Sequence, residues 1–344
     1  MDTANAIRPD ENLDWQTLEP YLREHLPETT GTMTTAQFHG GHANLTYLIQ
    51  FGDTEYVLRR PPFGRIAPGA HDMKREFRVL SKLWQHFPAA PRAFHYCADA
   101  DVIGAHFVVM ERRRGIVVRY AVPPEFRGLE NVEQRLTDAL VDAVADLHKV
   151  DVGNAGLEKL GRPEGYTERQ ILGWQKRWEL AKTEPNPTMD ALADRLLRDV
   201  PEPQAVSIVH NDLKFDNCQF APDDPDRVAS VFDWDMTTLG DPLTDFGVTL
   251  GYWPDARLDA RNVPVLLHGN FPGKDYLKRR YAERTGFDLS RMDWYEALSY
   301  YKAAIIAQQL YQRYVQGNST DARMAKFGRA GRAFGEMARQ LLEG

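Results

Sequence analysis

The sequence predicts an α+β protein of two unequal lobes, a small one built on antiparallel sheet and a larger, mainly helical one. Three observations carry that expectation. The chain has 344 residues, more than one small core needs and suited to two unequal domains. Early on, Leu45, Tyr47 and Ile49 alternate on one face and Tyr56-Val57-Leu58-Arg59 follows, the two runs joined around Gly52-Asp53 as in a hairpin. Beyond about residue 130 the period changes, and apolar residues recur at helical spacing.

Taken in order, an amphipathic opening segment (Trp15, Leu18, Leu22) precedes the hairpin. Met73, Phe77, Leu80 and Trp84 place a helix after it, and Phe107-Val108-Val109-Met110, ending at Glu111, reads as one more buried strand. Leu136, Leu140, Val144 and Leu147 mark a later helix, Ile171, Trp174 and Trp178 another, and 292–315 a longer one. The expected division is 1–110 for the small lobe and 111–344 for the large, with a ligand cleft between them.

Composition narrows the function. A net charge of −7 offers no basic face for nucleic acid, so none is expected as a partner. No apolar run is long enough to span a bilayer, and Met1 to Asp14 lacks the basic and apolar regions of a leader. Two cysteines, Cys97 and Cys218, cannot make a disulfide framework. These features predict a cytoplasmic protein with no membrane partner and leave its oligomeric state open.

The sharpest feature lies between 206 and 246. A β-type run, Val206 to Val209, ends in His210-Asn211-Asp212-Leu213-Lys214-Phe215-Asp216-Asn217, and a second, Val228 to Phe232, delivers Asp233-Trp234-Asp235. Asp212 and Asn217 have the H-x-D-x-x-x-x-N spacing of a kinase catalytic loop. Phosphoryl transfer needs a carboxylate to orient a hydroxyl and accept its proton, which suits Asp212. It also needs hard oxygen ligands for Mg²⁺, which Asn217 and Asp233 can supply. Singly, such residues are common in loops after strands; the joint pattern is what points to chemistry. A P-loop is excluded, because Gly273-Lys274 is followed by Asp275 and has His268 where the first glycine belongs.

On these residues the chain resembles the aminoglycoside phosphotransferase and choline kinase superfamily, whose members are built like protein kinases. Its usual motifs are His-Gly-Asp-x-x-x-x-Asn, an Ile-Asp-Trp-type turn and a Gly-Asp-Pro segment. They correspond here to His210 through Asn217, Phe232-Asp233-Trp234-Asp235 and Gly240-Asp241-Pro242-Leu243-Thr244-Asp245. The resemblance implies ATP as donor, Asp212 as catalytic base, and Asn217 and Asp233 as Mg²⁺ ligands. His210 is expected to pack the loop, Asp241 to cap a helix with Pro242 at its first position, and Asp245 to hold the loop's backbone. Gly40, Gly41 and Asn44 resemble the nucleotide-covering loop, and Met110 and Glu111 match the hinge that reads adenine. Arg59 stands where the family has a phosphate-holding lysine, with Glu76 as partner. Strand alternation puts Arg59 on the face of Val57, although a solvated Arg59 with Arg60 toward the cleft is the competing reading.

Within the superfamily the chain is similar to a subgroup found free-standing in bacteria and as the N-terminal part of large acyl-CoA dehydrogenases. The residues behind this are Val57 to Pro62, Arg75-Glu76-Phe77, Gly161 to Tyr166 with Arg169-Gln170, and Thr238 to Leu243. That implies a hydroxyacyl-CoA or hydroxy acid derivative as the small-molecule acceptor. Arg169, Gln170, Trp174 and Arg177 are candidates for binding it, or else form an amphipathic helix whose tryptophans fill the core. Arg323, Lys326, Arg329 and Arg332 either meet CoA phosphates or form a solvated face. The rivals are an aminoglycoside or choline-type kinase, a protein kinase (for which too few residues separate Asp233 from Gly240-Asp241-Pro242), and a catalytically silent nucleotide-binding scaffold.

Overall fold

The computed structural model describes residues 3–39, 44–64, 72–258, 267–318 and 321–344. Asp14 accepts a hydrogen bond from the Thr17 N–H at 3.2 Å and so caps helix α1 (Trp15–His25). Strands β1 (Met33–Phe38), β2 (Leu45–Phe51) and β3 (Thr54–Arg60) follow, then helix α2 (Met73–Leu83), β4 (Ala93–Cys97) and β5 (Phe107–Glu111). The five strands make one antiparallel sheet ordered β1-β2-β3-β5-β4.

The hairpin turns at Gly52-Asp53 as its sequence predicts, with Phe51 opposite Thr54, and Gly52 takes the left-handed conformation (φ 55°). Alternation along the strands then divides the apolar residues between two faces. Tyr47, Ile49, Tyr56, Leu58 and Val109 pack with Leu18 and Leu22 of α1. Val57, Val108 and Met110 pack instead with Val79 and Leu80 of α2. The sequence reading omitted β1 and β4. Both are sheet edges, and only Gln37 and Phe38 of β1 and Ala93 and Cys97 of β4 are buried, so neither carries a full apolar stripe.

The larger lobe is mainly helical. After β6 (Ile116–Val117) come α3 (Val132–His148), α4 (Tyr166–Ala181), α5 (Pro187–Leu197), β7 (Ser207–Val209), β8 (Cys218–Ala221), β9 (Asp224–Val231) and β10 (Thr238–Gly240). Helices α6 (Pro242–Gly251), α7 (Lys274–Thr285), α8 (Met292–Val315) and α9 (Phe327–Leu341) complete it. Two small antiparallel units, β6-β8-β9 and β7-β10, hold the motif-bearing loops. One apolar cluster runs from Val57 and Leu80 through Trp234 to Tyr301 and Met337, so both lobes share a core. Among the described residues no helix is long and apolar enough to cross a membrane, and Cys97 and Cys218 are buried and unpaired.

Helix α6 is buried along nearly its whole length. Asp241 caps it, accepting from the Leu243 N–H (2.9 Å) and the Tyr295 hydroxyl (2.7 Å). It lies so close to α8 that a Cβ at Gly247 would come within 2.8 Å of the Tyr295 carbonyl oxygen. Backbone cannot yield as a side chain can, so Gly247→Ala should destabilise the protein by about 1–3 kcal/mol. Urea unfolding checks this, and an unchanged midpoint would show that α6 has slack against α8.

Candidate active site

The motif loop leaves β7 at Val209 and enters β8 at Cys218, with β10 paired alongside β7. Asp245, in the first turns of α6 and fully buried, holds its start. One carboxylate oxygen accepts from the His210 N–H and the other from the Asn211 N–H, both at 2.7 Å. His148 adds a third contact at 3.1 Å. Burial alone would raise the Asp245 pKa, but these donors hold it below the usual carboxylate value. The His210 ring packs on Trp234 and contacts the Phe232 carbonyl oxygen at 3.1 Å.

Asn211 has φ 70°, where the superfamily motif carries glycine. Asparagine tolerates that conformation better than most residues because its side chain can bond locally. Here its Oδ1 accepts from the Tyr166 hydroxyl at 2.6 Å and its Nδ2 donates to the Met236 carbonyl at 3.0 Å. The Lys302 ammonium donates to the Asn211 carbonyl at 2.8 Å. The turn is fixed from three directions.

Asp212 follows with its carboxylate fully engaged. Oδ1 accepts from the Tyr252 hydroxyl at 2.8 Å, Oδ2 from the Asn217 amide nitrogen at 2.9 Å, and the Lys214 ammonium lies 3.0 Å from Oδ2. Lys214 also sits over the Tyr252 ring. Because the Asn217 amide nitrogen points at Asp212, its amide oxygen is turned elsewhere. The Phe232 N–H donates to the Asn217 carbonyl at 3.0 Å, which brings the next residue, Asp233, beside Asn217. Asp233 takes φ 73°, and the Trp234 indole anchors the turn by donating to the Val231 carbonyl at 2.8 Å.

Arg59 faces this turn. Its guanidinium donates to the Glu76 carboxylate and, at 2.8 Å, to Asp233 Oδ1. Glu76 is fully buried, and burial raises its pKa to about 7 against the pull of Arg59. Burial likewise opposes the Arg59 charge, yet Glu76 and Asp233 keep the guanidinium protonated. Burial would raise Asp233 too, but Arg59 outweighs it and holds the carboxyl below its ordinary value. Arg60 turns to the opposite face of the sheet, donating to the Pro61 and Ile103 carbonyls.

The remaining candidates divide. Asn44 is buried, and its amide donates to Asp235 Oδ2 at 3.5 Å. Met110 and Glu111 end β5, where the chain leaves the sheet. Gly40 and Gly41 lie outside the described residues. Arg169 is taken up by the Glu164 and Arg162 carbonyls, and Arg177 lies over the Trp174 ring. Gln170 and Trp174 edge only a recess of about 20 Å³ beside Asn211 and Lys302. Arg323 and Arg332 pair with Asp321 and Glu184.

A much larger cavity, about 1070 Å³, opens between the end of α6, the start of α7, and helices α8 and α9. None of the four α4 candidates lines it; Tyr252 and Lys302 do, linking it to the catalytic loop. Sequence reasoning missed Tyr252 and Lys302, which have no motif of their own, and placed Tyr166 in a subgroup motif without giving it a role. Lys214 lies inside the motif string, which gave it no role of its own.

Comparisons with known proteins bear on the family and the fold. Residues 34–295 match the model of the phosphotransferase enzyme family. The chain is 34% identical over 337 residues to acyl-CoA dehydrogenase family member 11 of Rattus norvegicus, covering 93% of this chain but 42% of that protein. It also resembles the crystal structure of a candidate aminoglycoside phosphotransferase from Ralstonia eutropha, at 30% identity and a TM-score of 0.82, covering 96% of this chain and 99% of that one. A thermostable mutant of an aminoglycoside phosphotransferase, in ternary complex with AMP-PNP and hygromycin B, shares the fold, with a TM-score of 0.59 at 18% identity and coverage of 95% and 98%.

The left-handed turn yields a direct test. Asn211→Gly gives up the two side-chain hydrogen bonds but adopts the conformation freely, whereas Asn211→Ala gives up the same bonds and keeps a Cβ in the left-handed region. The alanine variant should be less stable than the glycine variant by about 1–2 kcal/mol. Chemical unfolding measures the difference, and an alanine variant at least as stable as the glycine one would contradict the conformational argument.

Proposed function

This chain belongs to the phosphotransferase enzyme family, and we propose that it transfers the terminal phosphoryl group of ATP, with Mg²⁺, to a hydroxyl of a hydroxyacyl-CoA or related hydroxy acid derivative. The observation that carries the reaction type is the convergence of Asp212, Asn217 and Asp233 with the Arg59–Glu76 pair. Asp212 lies in a loop fixed by Asp245, and Asn217 contacts it at 2.9 Å. An acceptor hydroxyl placed against Asp212 loses its proton to that carboxylate. Its oxygen bonds to phosphorus as the bond from phosphorus to the bridging oxygen of ADP breaks, and the electron pair leaves with ADP.

The donor chemistry fits a hard divalent cation. Asp233 is held ionised, and the Asn217 amide oxygen is freed by the orientation of its nitrogen toward Asp212. Mg²⁺ binds through one or two protein oxygens plus substrate phosphates, a demand these two side chains can meet. When bound, the metal would neutralise charge on the phosphates. Arg59 would hold a phosphate with Glu76 fixing its orientation, and Lys214 would keep positive charge beside Asp212. Its ammonium stays charged because neighbouring anionic groups, Asp212 among them, outweigh burial.

The acceptor class rests on similarity and on charge. The rat relative's name refers to acyl-CoA, and this chain spans 42% of that protein's length. The large cavity carries Lys274, Lys278, Arg279, Arg257 and Lys302 on its walls. Of its three carboxylates, Asp255 is bonded by Arg257 and Lys274, Asp293 lies 3.4 Å from Lys278, and Asp275 is exposed at the start of α7; Glu296 nearby is bonded by Lys274 and Lys278. Five basic residues thus face three carboxylates, two of them already paired, and a polycationic aminoglycoside would need the opposite balance. An acceptor with a neutral or anionic body fits these walls better.

Asp212→Asn should lower turnover by about 10²-fold or more while leaving ATP binding nearly intact; near wild-type turnover would remove Asp212 as the base. Hydroxyacyl-CoA species, kanamycin-type aminoglycosides and choline should then be compared under the same conditions by product mass. Phosphorylated thioester is the expected product. Phosphorylation of a cationic acceptor alone would move the chain to another branch.

A further inference from the structure

We propose that the cavity between α8 and α9 seats an apolar chain carried by the acceptor, so that this helix pair selects acceptors by chain length. The claim rests on the phosphotransferase reading for its chemistry, though not for binding itself. Ala303, Ile306, Ala307 and Leu310 line the cavity from α8. They fall at i, i+3, i+4 and i+7, the spacing of one apolar stripe. Phe327, Ala330 and Phe334 line it from α9 with the same helical period. Stripes of this kind ordinarily close on each other, because protein interiors leave few voids larger than a water molecule. Together with the end of α6 and the start of α7 these border a half-open cavity of about 1070 Å³ instead, at the upper end of what small-molecule sites span.

The opening is not loose packing between the helices. A Cβ at Gly328 would come within 3.1 Å of the Tyr311 ring, and one at Gly331 within 3.1 Å of the Ala304 carbonyl oxygen. Helix α9 is thus pressed onto α8 through its small residues, while its aromatic side stays turned to the cavity. Two residues of the cavity wall also bond to the catalytic loop. Lys302, immediately before Ala303, donates to the Asn211 carbonyl at 2.8 Å. Tyr252, on the same wall, donates to Asp212 at 2.8 Å. An apolar stripe that begins beside the base and runs away along two helices suits a molecule with a hydroxyl near Asp212 and a hydrocarbon tail. Arg279, on the α7 wall, is placed for a polar or anionic head group.

Two measurements on the full chain test this. In the first, decanoate competes with the environment-sensitive dye anilinonaphthalene sulfonate, without nucleotide. Decanoate should displace the dye from the wild type, and Ala303→Trp, which fills the end nearest the base, should weaken decanoate by about 10-fold or more. In the second, kcat/KM for hydroxydecanoyl-CoA relative to hydroxybutyryl-CoA should fall by about 10-fold in the same variant. If Ala303→Trp does not fold, Leu310→Trp blocks the stripe further along and carries the same expectations. Decanoate that fails to bind the wild type, or binds both proteins equally, overturns the proposal, as does an unchanged chain-length ratio. Decanoate binding lost on substitution in a protein that phosphorylates no thioester would leave the cavity assignment standing and defeat the acceptor reading alone.

Discussion

A buried glutamate cannot stay ionised without a cation, and Glu76, with none of its surface exposed, has Arg59. Removing one member of such a buried pair typically costs about 3–5 kcal/mol, because the other is left without compensation. That penalty fixes the register of β3, since a slip of one residue would turn Arg59 to the α1 face. It also fixes where α2 lies on the sheet. Arg59 then reaches beyond Glu76 to Asp233 at 2.8 Å, so the small lobe, its helix and the acidic turn of the large lobe meet at one guanidinium. Lysine, with a single ammonium, offers a point charge and no fork for bridging two carboxylates. Arginine in place of the family's lysine is therefore consistent with the geometry around it.

The second fixed point is Asp245. Its two oxygens accept from successive backbone N–H groups of the catalytic loop, and its own helix is pinned to α8 at Gly247 and Tyr295. The position of Asp212 is thus set by the packing of α6 on α8 rather than by the loop itself. Strain at Asn211 and Asp233, both with positive φ, is what such over-determined surroundings can sustain. The same helix, α8, supplies Lys302 to the loop and the apolar stripe to the cavity. The position of the loop and one wall of the cavity are therefore built on one element.

The parts legible in the sequence were those whose signal is local. The β2–β3 hairpin announces itself through alternation and Gly52-Asp53. Strand, motif and acidic turn lie within a few tens of residues of one another, so the grouping of Asp212, Asn217 and Asp233 could be read directly. The face of Arg59 followed from alternation with Val57. What escaped depends on contacts distant in sequence. Tyr252 lies 40 residues from Asp212 and Lys302 lies 91 from Asn211, and neither stands in a motif. The cavity was invisible for the same reason. Leu310 and Phe334 look like ordinary core positions on their own helices, and only the packing of α9 on α8 leaves them facing open space. On α4, whose residues were candidates either for the acceptor or for an amphipathic packing helix, Arg169 bonds to the loop at its own N-terminus.

The central claim is that Arg59 joins the lobes and holds the nucleotide's phosphates while Glu76 holds Arg59. Calorimetric titration of the Mg²⁺ complex of a non-hydrolysable ATP analogue into wild type, Arg59→Lys and Arg59→Ala tests it most directly. The account predicts that the lysine variant keeps much of the affinity and that the alanine variant, folded by circular dichroism, loses about 10-fold or more, the scale of a charge-assisted contact. Equal affinity in all three proteins would contradict it.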